Sequence, residues 1–170
     1  MNRIQKLKLL IQILTIQLRI ILLKQKLTIP SLDSPKFIII HHEAGNSGFN
    51  GVNEWHRQKW GFKSSLGYYI GYQLYLDKDK KWHRGRSDFE EGAHCPGHNK
   101  DSVGICIMGN YQREIPRYDL MKLLEAKIDE LRLKYGIPKE NVLGDKEGRI
   151  PSRPTECPCR LMPFIENYRN

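Results

Sequence analysis

No acidic residue occurs in the first 32 positions, where six basic ones stand: Arg3, Lys6, Lys8, Arg19, Lys24 and Lys26. That segment supplies +6 of the net +9, so the basic excess belongs to the N-terminus and says little about what the rest of the chain binds. An unbroken apolar run is also missing. A secretory leader needs such a run followed by small residues of the Ala-x-Ala kind; Arg19 interrupts the run here, and no such tripeptide follows. A membrane span needs roughly 20 apolar residues, and Lys8, Arg19 and several glutamines make that marginal.

What is there instead is a helical pattern. Ile4, Leu7, Ile11, Leu14, Leu18 and Ile21 recur at alternating spacings of three and four, and Gln5, Lys8, Gln12, Thr15, Arg19 and Lys26 form a polar stripe. Residues 1–29 read as a basic amphipathic helix that packs on itself, on a partner, or flat on an anionic membrane surface. Pro30 and Pro35 bound a linker over residues 30–36, and a single domain follows over 37–170.

Cysteine is sparse: Cys95, Cys106, Cys157 and Cys159. An even count does not make a disulfide framework in a domain of this size. Cys157 and Cys159 are too close for an easy mutual bridge, and Cys106 lies in an apolar run that reads as core. The set fits reduced thiols plus one ligand. A carboxylate pair placed across a sugar is missing too: Asp88, Glu90 and Glu91 are merely neighbours, which argues against glycoside hydrolysis.

The remaining pattern is mixed. Phe37 to His41 reads as a buried strand, Ala44 to Gly51 as a loop, and Asn53 as the N-cap of a short helix through Trp60. Tyr72 to Leu76 and Trp82 to Arg86 read as a hairpin, Phe89 to Asp101 as a polar loop, and Val103 to Met108 as a central strand. Tyr118 to Tyr135 is a strong helix, with Leu120, Leu123, Leu124, Ile128 and Leu131 on one face and Gly136 past its end. A short strand at Asn141 to Leu143 and a helix near Phe164 to Tyr168 complete it. The expected class is α/β, a mixed central sheet flanked by helices.

A hydrolytic zinc site needs three protein ligands drawn from His, Cys and carboxylate, and strand ends hold such ligands well. His41 ends an apolar strand, and Cys157 sits in a proline-stiffened loop. Neither is specific alone. Taken in order, five pieces resemble the N-acetylmuramoyl-L-alanine amidase family shared by phage lysins and peptidoglycan-recognition proteins. They are Ile39-Ile40-His41-His42; Trp55-His56 with Trp60-Gly61-Phe62; Gly71-Tyr72-Gln73 with Gly85-Arg86; Gly92-Ala93-His94 running through Asn99 to Gly104-Ile105; and Thr155-Glu156-Cys157-Pro158.

The resemblance implies a peptidoglycan-recognition-protein-like fold, zinc as cofactor and peptidoglycan as partner, with no nucleic acid. It implies action at the bacterial cell wall, on the amide between the muramic acid lactyl group and L-alanine. His41 and Cys157 would be zinc ligands. Tyr72, preferred over Tyr68, would donate to the carbonyl or orient the water. Thr155 would contact the oxyanion, and His94, Asn99 and Arg86 would bind substrate, with His94 a reserve ligand. His42 reads as a ligand's neighbour facing the other way, and His56 as packing. The pattern departs at the second ligand, where Asp145 stands in place of a histidine. Its gap to Cys157 is longer than the family's, the extra residues falling in Gly148 to Pro154. Aspartate is a competent zinc ligand. The alternatives are a peptidoglycan-binding module that has lost its metal, or a membrane-associated protein whose N-terminal helix is the active part.

Overall fold

The computed structural model describes residues 5, 6, 8, 10–18 and 34–170. The chain divides into two units, Met1–Pro30 and Ser31–Asn170. In the first, the described residues are helical, with Ile11, Leu14 and Leu18 exposed and the Thr15 hydroxyl donating to the Ile11 carbonyl at 2.8 Å. Among the described residues no helix is long and apolar enough to cross a membrane. The expected helix end at Pro30 and the linker as far as Asp33 lie outside the described residues.

The second unit is built on a five-stranded sheet, in the order β3-β2-β4-β1-β5. Its strands are β1 (Phe37–His42), β2 (Leu74–Leu76), β3 (Trp82–Arg84), β4 (Ser102–Ile107) and β5 (Val142–Gly144). β3 runs antiparallel to β2 and every other pairing is parallel. Parallel strands are covered on both faces and read as continuous apolar runs. Ile38, Ile39 and Ile40 are accordingly inaccessible to solvent. Alternation then divides β1: Ile38, Ile40 and His42 point to one side, Ile39 and His41 to the other.

The first side is covered by α2 (Tyr118–Tyr135) and α4 (Met162–Arg169). Leu120, Met121, Leu124, Ile128 and Leu131 of α2 pack with Ile38, Ile40, Ile105 and Ile107. Gly136 ends α2 in the left-handed conformation, φ 68°, with its N–H bonded to the Arg132 carbonyl. Leu124→Ala is expected to lower stability by about 2–5 kcal/mol, the usual cost of a buried Leu→Ala change. Denaturant melts would show it, while metal content stays unchanged.

The other side is covered by α1 (Gly48–Lys59), through Phe49, Val52 and His56. Its start corrects the loop expected over Ala44 to Gly51 and the cap expected at Asn53. Composition misled there: Gly and Asn dominate the segment, yet the Glu43 carboxylate accepts from the Ser47 N–H and hydroxyl, each at 2.6 Å, and ties down the entry. Asn53 lies inside the helix, and its Oδ1 accepts the Tyr69 and Ile70 N–H groups at 2.6 and 3.1 Å. The strand expected from Tyr72 begins at Leu74. Before it, the buried Gln73 side chain accepts from Gly104 N–H at 2.8 Å and donates to the Glu90 carbonyl at 2.8 Å. A short helix, α3 (Asp145–Gly148), follows β5 directly.

Candidate metal centre and cleft

Register places the first two candidate ligands. Ile40 pairs with Gly144, so the residues that follow, His41 on β1 and Asp145 at the first position of α3, emerge together at the carboxyl end of the sheet. Ligand sites in open α/β sheets gather at that end. Cys157 is brought there by its loop. Its carbonyl accepts the Lys146 N–H at 2.7 Å, tying the loop to α3, and its own N–H bonds to Thr155 Oγ1 at 3.2 Å. The Cys157–Pro158 peptide is cis.

The ligand atoms of His41, Asp145 and Cys157 all lie within 4.8 Å of one another. His41 Nδ1 is 3.5 Å from Asp145 Oδ2 and 3.9 Å from Cys157 Sγ. Zinc bonds of ~2.0–2.3 Å in a tetrahedron put ligand atoms roughly 3.3–3.8 Å apart, so the donor set fits that ion with small adjustment. His41 and Asp145 are buried and Cys157 is partly so.

The electrostatics of the trio are uneven. Burial pushes the Asp145 carboxyl up, but hydrogen bonds and charge from His41 and Arg149 outweigh it and hold the group well below the usual carboxylate range. Arg149 grips both oxygens, Nε to Oδ1 at 3.0 Å and Nη2 to Oδ2 at 2.5 Å. Burial, then the Asp145 charge, pushes the Cys157 thiol up, opposed by a hydrogen bond from the His42 backbone N–H. A bound cation is what would make that thiolate accessible.

The trio opens onto a cleft of about 640 Å³. Tyr72 lines it, with its ring 5.0 Å from that of His41. Burial, the neighbouring Cys106, Cys157 and Asp145, and a hydrogen bond with Cys106 push the phenol far up, so it remains a protonated donor. Tyr68, the rival, packs edge-on against Phe49 at 5.0 Å and does not line the cleft. Thr155 and Asn99 line it, Asn99 with its Oδ1 accepting the His94 and Cys95 N–H groups at 2.9 Å each. Arg86 sits elsewhere. It is buried, and its guanidinium is spent on the carbonyls of Ile70, Phe62 and Glu91, bracing the loops behind the cleft. His94 is largely buried but lines the cleft beside His41, its Nδ1 3.0 Å from His41 Nε2. His42 faces the other side, where Nδ1 accepts the Tyr111 N–H at 3.0 Å and Nε2 lies 3.7 Å from Cys159 Sγ.

Three features escaped the sequence reading. Arg149 had a signal, a cation four residues after an acid. His56 lines the cleft while its Nδ1 accepts the Gly71 N–H at 2.8 Å, a role with no local signature. Trp55, Trp60 and Phe62 form an exposed rim, with the Lys59 ammonium 4.3 and 5.0 Å above the two indoles. Their crowding of aromatics within eight positions was visible.

Comparison with known proteins agrees with the architecture. The N-acetylmuramoyl-L-alanine amidase family profile matches residues 31–160. The chain is 34% identical to the N-acetylmuramoyl-L-alanine amidase LysC from Clostridium intestinale URNW, covering 78% of this chain and 82% of that one at a TM-score of 0.66. Drosophila PGRP-LB superposes at a TM-score of 0.65, with 25% identity over 82% of this chain and 83% of that one. The endolysin of Escherichia phage T7 is 27% identical over 81 residues, 45% of this chain and 50% of its own length. The chain spans about half the length, or less, of the first curated relatives it matches. With the profile covering most of its length and a relative of this identity aligned over more than three quarters of it, the chain belongs to the N-acetylmuramoyl-L-alanine amidase (Amidase_2) family.

Proposed function

We propose that the protein hydrolyses the amide between the muramic acid lactyl group and L-alanine of peptidoglycan, with zinc held by His41, Asp145 and Cys157. The observation that carries this is the convergence of those three donors within 4.8 Å at the base of a cleft. The endolysin and amidase relatives support the same reaction class. When bound, zinc supplies Lewis acidity and a water whose pKa is brought down to ~7.

The chain's own residues do the rest. The trio fixes where the scissile carbonyl must sit. Tyr72, a phenol that stays protonated beside His41, would turn its O–H from Cys106 to that place and stabilise the charge that develops on the carbonyl oxygen. Thr155 accepts from the Cys157 N–H, which leaves its own O–H free to donate into the cleft. The rim of Trp55, Trp60 and Phe62 offers flat apolar faces to a glycan chain, and the half-open cleft admits a polymer.

A binding-only role is the second reading. The observation that favours it is the Asp145–Arg149 pair, which gives the carboxylate a counter-charge without any metal. Zinc analysis of purified protein separates the two. One equivalent in the wild type and none in Asp145→Ala is expected. Digestion of isolated walls should release new L-alanine amino termini without new reducing ends, stop on chelation and resume with zinc. A wild type that binds walls but holds no zinc overturns the catalytic reading in favour of the second.

A further inference from the structure

A metal-binding histidine must present a bare ring nitrogen, and which nitrogen is bare is decided by where the ring's single proton sits. In His41 two acceptors compete for it. Nδ1, the atom facing the ligand cluster, has Asp145 Oδ2 at 3.5 Å. Nε2 has His94 Nδ1 at 3.0 Å. A proton on Nδ1 would satisfy Asp145 and block the atom the metal needs. A proton on Nε2 would leave Nδ1 bare.

The bonds beyond His94 decide the contest. Ser102 Oγ lies 2.5 Å from the His98 carbonyl, which has only lone pairs to offer, so the serine proton is committed there. Toward His94 Nε2, 3.5 Å away, Ser102 Oγ can then only accept. His94 therefore carries its proton on Nε2, and its Nδ1 is the acceptor. That orders the proton of His41 onto Nε2. Arg149 works in the same direction: it occupies both oxygens of Asp145 and weakens the competing acceptor.

The socket around His94 is built for this orientation. A Cβ on Gly92 would stand 2.3 Å from His94 Cδ2, and one on Gly104 2.7 Å from the same atom. Two glycines thus leave room for a ring that packs edge-on to His41, at 5.0 Å between centroids. The His94 N–H and the Cys95 N–H share Asn99 Oδ1, which holds the backbone beneath the ring.

We propose that His94 is a positioning residue of the metal centre: the chain His41 Nε2–H to His94 Nδ1, His94 Nε2–H to Ser102 Oγ and Ser102 O–H to the His98 carbonyl locks His41 in the tautomer whose Nδ1 is free to bind metal. This rests on the zinc reading for its purpose, but the tautomer itself exists without zinc and is read without it.

The test is a long-range ¹H–¹⁵N correlation spectrum of the imidazoles in zinc-free full-length protein at pH 8. In the wild type His41 is expected as the Nε2–H form, and so is His94. His94→Asn, whose side-chain oxygen can still accept from His41, should keep that form. His94→Leu, with no acceptor, should move the proton to Nδ1 beside Asp145 and weaken zinc binding by roughly 10–100-fold, the usual effect of losing such a partner. A wild-type spectrum with His41 protonated on Nδ1 overturns the proposal, whether or not the variants fold. So does a His94→Leu protein that is folded and keeps the Nε2–H form. If the tautomer is as expected and yet no zinc binds, the catalytic reading fails while this assignment stands.

Discussion

Cys157→Ala is expected to leave the purified protein without zinc and to slow wall digestion by about 10³-fold or more, since metal catalysis contributes several kcal/mol to barrier lowering. Cys157 Sγ is the only donor that the C-terminal loop contributes to the trio. Without it two ligands remain, His41 and Asp145, and a buried carboxylate already paired with Arg149 holds a cation poorly on its own. The fold should survive. The bonds that fasten the loop, Lys146 N–H to the Cys157 carbonyl and Cys157 N–H to Thr155 Oγ1, belong to the backbone at that position and are untouched. Cys159→Ala is the matched control. Its sulfur lies beside His42 on the opposite face of β1, so zinc and activity should be unchanged. Metal analysis and release of L-alanine amino termini check both variants. Zinc retained at one equivalent in Cys157→Ala, or lost in Cys159→Ala, would show that the donor set is wrongly drawn.

Much of this was legible before any coordinates. The triple isoleucine of β1 announces a strand buried on both faces, and α2 is bounded by its own chemistry: apolar residues at helical spacing, then glycine where a left-handed residue is required. What was not legible depends on pairing. The expectation that Asp145 could serve as a ligand was chemical; its place beside His41 comes from the Ile40–Gly144 register, which links residues a hundred positions apart. α1 was hidden because its first turn is fixed by Glu43, a side chain outside the helix, and not by a local capping residue. His94 reads as a groove residue because it sits in a polar loop, and it does line the cleft. Its contact with His41 was not legible, because the room for its ring comes from two glycines, one on that loop and one on β4. Buried histidines are poorly marked in a sequence, since their partners lie on other elements.

Those buried histidines make a further expectation about stability. His56 is inaccessible to solvent, and burial first, then the charges of Lys59 and Arg86, lowers it to about 4 from an ordinary value near 6.5. His94 is lowered too, by burial and then by His41, and so is His42, by burial and then by His41. All three are neutral in the folded protein at neutral pH, and all take up a proton in the unfolded chain below about 6.5. The unfolded state thus binds more protons in this window, so stability must rise with pH across it. It is complete above about pH 6.5 and is lost as the pH falls toward the folded values. For His56 alone a shift of this size corresponds to about 3 kcal/mol. Asp145, held low by His41 and Arg149, begins to lose its contribution as the pH falls through the unfolded carboxyl value of about 4, so the fall between pH 6.5 and 5 is the part that belongs to the histidines. Urea midpoints of zinc-free protein at pH 8, 6.5, 5 and 4 should fall slightly between the first two and then drop steeply. His56→Gln keeps an acceptor for the Gly71 N–H and cannot take a proton, so its curve should be visibly shallower. A Gln variant that loses stability as steeply as the wild type would move the acid sensitivity from His56 to the pair His94 and His42.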